Sequence, residues 1–77
     1  MKMKIYGYSE ESENLNRMKE VSLLCNSNDL ELIIQFLKYT QNQLKEHGKD
    51  FGHEHFRDWL KQENIDFVGS DIIIVGE

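Results

Sequence analysis

The chain has 77 residues, 39% hydrophobic and 30% charged, with a formal net charge of -5. That is a globular balance at a length near the lower limit for folding on one apolar core, which excludes a large enclosed active site. No run approaches the roughly 18 consecutive apolar residues of a membrane span, and 14 acidic against 9 basic residues oppose a nucleic-acid surface and favour a basic partner.

Residues 1–77 read as a single domain, since no repeat, proline or low-complexity tract divides them. Near the N-terminus, Met3, Ile5 and Gly7 alternate with Lys4, Tyr6 and Tyr8, which predicts a first strand over Lys2 to Tyr8. That stretch lacks the apolar core of a secretory signal. The run from Ser9 to Asn14 is polar and acidic, hence a loop. Between Arg17 and Asn26 alternation resumes, with Val21, Leu23 and Cys25 on one side, and predicts a second strand that forms a hairpin with the first. Cys25 is the only cysteine, so it has no internal disulfide partner; in this strand it reads as a buried, inert thiol in a reducing cytoplasm.

The strongest periodicity follows. Leu30, Ile33, Ile34, Leu37 and Leu44 share one face of a 3.6-residue period, widened by Leu32, Phe36 and Tyr39, which predicts a long amphipathic helix. Asn28 and Glu31 have capping-box spacing at its start, Asp29 suits the positive end of the dipole, and Lys45, His47 and Gly48 suit its end. The glycines of Gly48 to Gly52 mark a turn. His53 to Asn64 fits either period: Phe56, Trp59, Leu60 and Glu63 suit a helix, whereas Glu54, Phe56, Asp58 and Leu60 suit a strand. A third strand over about His53 to Asp58, with an irregular or single-turn helical link through Asn64, is the expectation, because the β-branched run Ile72 to Val75 reads as a strand that needs neighbours on both edges. The predicted fold is α+β, β-β-α-β-β. It is a four-stranded antiparallel sheet in spatial order 1-2-4-3 with one long helix on one face. Such a sheet leaves Tyr6, Tyr8, Leu24 and alternate isoleucines on an uncovered face, which predicts a homodimer or a protein partner.

Candidate chemistry is sparse. His53 and His55 project from one face of a strand, a geometry that holds a transition metal only if further ligands join them, and no cysteine pair is near. No serine, cysteine or histidine sits in a nucleophile motif, and Gly69 and Gly76 form no phosphate loop, so neither catalytic residues nor a cofactor are expected. Glu10, Glu11 and Glu13 form an acidic loop that either steers a basic partner or is simply solvated. Trp59 is either an interface anchor or core.

The helix opening NDLELIIQFL, the segment HEHF and the closing SDIII together resemble small bacterial proteins grouped with the immunity proteins of polymorphic toxin systems. The matching positions are His53, His55, Phe56, Asp58, Ser70, Asp71 and Ile72 to Ile74, within a resemblance running from about Val21 to Val75. It implies an intracellular protein that binds and neutralises a cognate toxin, often a nuclease, and carries over no catalytic residue. The expected function is therefore occlusion of a partner by a cytoplasmic binding domain. Glu10, Glu11 and Glu13 would steer the encounter, and Tyr6, Tyr8, His53, His55 and Trp59 would make contact. A metal or small-ligand module built on His53 and His55, and a homo-oligomeric domain, are the alternatives.

Overall fold

The structure, a computed structural model, describes residues 5–77, with the side chain of residue 5 left aside. The fold is α+β, but it has two helices and two small antiparallel sheets in place of one helix on a four-stranded sheet. Strands β1 (Ile5–Gly7) and β2 (Asn16–Met18) pair antiparallel, with Tyr6 opposite Arg17. The long helix α1 spans Ser27–His47, and a 3-10 turn over Gly48–Asp50 leads to β3 (His53–His55), helix α2 (Phe56–Gln62) and β4 (Ile73–Val75). Strand β4 pairs antiparallel with β3, with Glu54 opposite Ile74. Among the described residues the two sheets do not join, so the 1-2-4-3 order does not form there. The expected strand positions Lys2 to Lys4 lie outside the described residues.

The first hairpin forms, but its second strand lies earlier than the alternation suggests. Asn16–Met18 takes the pairing, and Val21 to Cys25 is exposed coil, with Leu24 104% accessible. Cys25 is exposed, which overturns its reading as a buried thiol. The helix start explains part of this. Asn26, not Asn28, is the N-cap: its backbone is extended, and its Oδ1 accepts a hydrogen bond from Asp29 N at 2.8 Å. A chain committed to capping at Asn26 ends any extended run there and lengthens the helix by two residues. The other end matches expectation, since Gly48 takes φ 51° and donates its N–H to Leu44 O.

The expected third strand forms over His53–His55, and helix α2 replaces its second half. As a strand, Phe56, Asp58 and Leu60 would share a face and bury a carboxylate; as a helix, Phe56, Trp59 and Leu60 bury together and Asp58 stays exposed in the first turn. The helix ends in a Schellman motif. Asn64 adopts φ 58° and donates to Lys61 O at 3.1 Å, while Ile65 N donates to Leu60 O at 2.9 Å. Ile65 then packs on the core.

That core lies between the two helices. Ile33 and Phe36 of α1 meet Phe56, Trp59 and Leu60 of α2, with Leu32, Tyr39, Ile65, Phe67, Ile72 and Ile74 packed around them. The Phe36 and Phe56 rings are 5.1 Å apart, and Phe36 and Trp59 are 5.9 Å apart, within the range of favourable aromatic pairs. Gly76 lets β4 close on this body: its N–H donates to Gly52 O at 2.8 Å, and a Cβ there would stand 2.9 Å from Phe51 Cδ2.

The apolar face of α1 is only half covered. Ile33, Phe36 and Thr40 are buried, whereas Leu30, Ile34 and Leu37, expected on the same covered face, remain 47%, 40% and 44% exposed. A two-strand ribbon and one short helix are too little to cover the width of a face that a four-stranded sheet would have filled.

Candidate functional site

Strand β3 places His53 and His55 on one face, because alternate residues of a strand point the same way. Their rings lie 5.2 Å apart, edge to face. Directly across the ribbon stand Val75 and Ile73, so the outer face of β3–β4 carries two imidazoles and two exposed aliphatic side chains. The inner residues Ile72 and Ile74 turn to the core. The isoleucine run thus splits by parity, with one covered face, and among the described residues it has one neighbour strand, not the two expected.

Asp71 organises this corner. Its Oδ1 accepts from Arg57 N and from Ile72 N, each at 2.9 Å, and its Oδ2 lies 2.7 Å from His55 Nδ1. The Arg57 guanidinium stands 3.9 Å from the same oxygen. Arg57 lies in the first turn of α2, where N–H groups have no partner within the helix, so Asp71 caps α2 from the far end of the chain. The preceding N–H, of Phe56, donates to Ile72 O at 2.8 Å, which completes the seam. Burial pushes the Asp71 carboxyl up, but the hydrogen bonds from His55, Arg57 and Ile72, with the charge of His55, outweigh it and hold the group below its ordinary 3.8. The pair orients His55 and fastens β3, α2 and β4 together. Its geometry is that of a clasp.

Among the described residues, no group of three or more His, Cys, Asp or Glu could hold a metal ion. His53 and His55 therefore have neighbouring rings but no third ligand among those residues, short of the three or four that a zinc site uses. Beside the core, a cleft of about 670 Å³ runs between the coil Val21 to Cys25 and the coil Ile65 to Ile72, floored by Leu32, Ile33, Phe56 and Leu60.

The remaining expected contact residues fall elsewhere. Tyr6 and Tyr8 are exposed on and just beyond β1, and Glu10, Glu11 and Glu13 lie in the loop to β2, which closes through Ser12 N to Ser9 O at 3.2 Å. Among the described residues, Tyr6 and Tyr8 lie on and beside the β1–β2 sheet and His53 and His55 on the β3–β4 sheet, so the four-stranded sheet whose open face was to carry Tyr6, Tyr8 and alternate isoleucines does not form. Trp59 is 5% exposed and packs in the core between Phe36, Tyr39 and Phe56. Sequence reasoning missed the structural part of Asp71, whose partner His55 lies 16 residues away with no spacing rule to join them. It also took the Leu30, Ile34 and Leu37 stripe as core; its width was the signal, since a stripe broader than one helix can cover needs more than this fold supplies. No protein-family model, curated protein or solved structure matches the chain. No helix among the described residues is long and apolar enough to cross a membrane.

Proposed function

We propose that this chain is a small cytoplasmic protein-binding domain, immunity-like, that neutralises a cognate toxin by covering its working surface and performs no chemistry. One observation carries the reading: large apolar side chains stand exposed over much of so small a molecule, with Tyr6, Tyr8, Leu15 and Met18 at the first hairpin and Val68 in the coil before β4 beside three further groups. Those groups are Leu30, Ile34 and Leu37 on α1, Val21, Leu23 and Leu24 in the coil before it, and Ile73 and Val75 on β4. Exposed apolar patches mark association sites, because leaving them in water forgoes roughly 25 cal/mol per Å² that a partner surface recovers. The clasp at Asp71 supports the non-catalytic side of the reading, since its hydrogen bonds hold secondary structure together.

Charge suits the same role. Glu10, Glu11 and Glu13 sit on one loop of an acidic chain, where they speed encounter with a basic protein. Tyr6 and Tyr8 precede that loop, and His53 and His55 offer a second contact area. The test is capture of partners from the native host with the wild-type protein and with variants carrying Glu10, Glu11 and Glu13 reversed to Lys, or Tyr6 and Tyr8 changed to Ala. The expected result is one basic partner whose enzymatic activity falls to zero at one equivalent of wild-type protein and is spared by at least one variant. A captured partner that stays fully active in the complex would overturn the occlusion reading.

A further inference from the structure

We propose that the exposed stripe of α1 is a self-association surface on which a second copy of this chain docks, with the two helices antiparallel about a two-fold axis. The inference goes beyond the occlusion reading and stands whatever other partner the chain has.

The argument starts from spacing. Leu30, Ile34 and Leu37 are four and three residues apart, so on a helix of 3.6 residues per turn they lie within about 60° of one another, and Gln41 and Leu44 continue the 4-3 pattern. This is the seam of a helix pair. It borders the buried Ile33, Phe36 and Thr40 on one side, where the rest of the body lies. Along the other side run Glu31, Lys38 and Lys45, each seven residues from the next. They occupy the flanking position that selects partner and orientation in paired helices. Among the described residues, none of the three forms an ion pair within the chain; Glu31 is steadied only by Gln35, whose Nε2 donates to Glu31 Oε1 at 3.3 Å.

Orientation follows from those charges. If Ile34 of one copy packs opposite Leu37 of the other in antiparallel fashion, Leu30 falls opposite Gln41. Glu31 then lies only about 3 Å along the axis from Lys38 of the second copy, at ~1.5 Å per residue. The two-fold repeats that pair, so two Glu–Lys contacts flank one apolar seam. A parallel pair would put Glu31 and Lys38 of one copy beside the Ile33 and Thr40 flank of the other, so only the antiparallel pair brings the opposite charges together. The chain's net charge of -5 opposes self-association in general, and this flank is where lysines gather on α1. An isologous contact of this kind closes after two copies.

Sedimentation equilibrium of the full chain, with circular dichroism to confirm that each variant is folded, tests this. The wild-type protein is expected to move from 9.2 kDa towards 2 × 9.2 kDa as its concentration rises, with a dissociation constant on the order of tens of micromolar for so small an interface. Glu31→Lys and Lys38→Glu are expected each to weaken the dimer about tenfold, since two attractions become two repulsions. An equimolar mixture of the two single variants is expected to recover wild-type association, because the first variant carries lysine at both flanking positions, the second carries glutamate at both, and opposite charges meet again in the mixed dimer. Leu37→Gln is expected to leave the fold intact and abolish dimerisation. A wild-type protein monomeric to about 0.5 mM would overturn the proposal, as would a dimer indifferent to both charge variants and to Leu37→Gln.

Discussion

Asn26 and Asn28 differ by two positions in sequence but in kind by their role. Only Asn26 accepts from an N–H of the first turn, so Asn26→Ala is expected to cost about 1 kcal/mol of unfolding free energy, whereas Asn28→Ala should stay within about 0.5 kcal/mol. Urea titration of both variants checks this, and a larger loss in Asn28→Ala than in Asn26→Ala would return the cap to Asn28. Asp71 is the second decisive residue. At 13% exposure its carboxylate serves two N–H groups and an imidazole, so Asp71→Ala is expected to cost about 1–3 kcal/mol. The pH dependence has a definite sign. A carboxyl whose folded value is depressed stabilises the fold above its ordinary 3.8 and loses that contribution as the pH falls through the lower folded value. The gap between wild type and Asp71→Ala should therefore be full at about pH 5 and above and close progressively below about pH 4. A gap independent of pH would show that the charge of Asp71 contributes nothing.

At the scale of elements, α2 shows how a local ambiguity is settled by what lies next to it. The helical and strand patterns of His53 to Asn64 overlap at Phe56 and Leu60, and the helix prevails because it also buries Trp59 against Phe36 and leaves Asp58 in water. Its end depends on Asn64, whose positive φ an Ala would hold only at a cost. Asn64→Ala is expected to lower stability by about 1 kcal/mol, read as a shift in the urea midpoint with an unchanged slope. The long helix, its glycine end and the first hairpin were legible because each rests on contacts within a few residues: periodicity for α1, positive φ for Gly48, a short polar loop between β1 and β2. The four-stranded sheet was not legible, because it required β2 and β4 to meet across the chain. Nothing in Val21 to Cys25, whose alternation suits a strand as well as any, reports that its backbone finds no partner strand among the described residues. Of the candidate contact residues, the loop character of the acidic run follows from local polarity, whereas Tyr6 and Tyr8 are exposed although the four-stranded sheet from which their exposure was argued does not form among the described residues. The burial of Trp59 and the joining of His55 to Asp71 follow from tertiary packing alone.

For the molecule as a whole, the recurring feature is apolar surface that the fold does not cover. Two helices bury one narrow aromatic core, and the broad face of α1, the coil before it and the outer side of β4 remain exposed. A chain of 77 residues has little interior to begin with, so side chains left outside are a sizeable loss of stability unless a partner encloses them. That links the marginal core to the proposed binding role: stability and function would both draw on association. The most direct measurement is a series of amide NMR spectra of the isotope-labelled chain at increasing concentration. The account predicts concentration-dependent shifts at Leu30, Glu31, Ile34, Leu37 and Lys38, with the amides of the buried Phe36, Trp59 and Leu60 moving far less. Spectra that do not change with concentration, or changes confined to β4 and absent from α1, would contradict it.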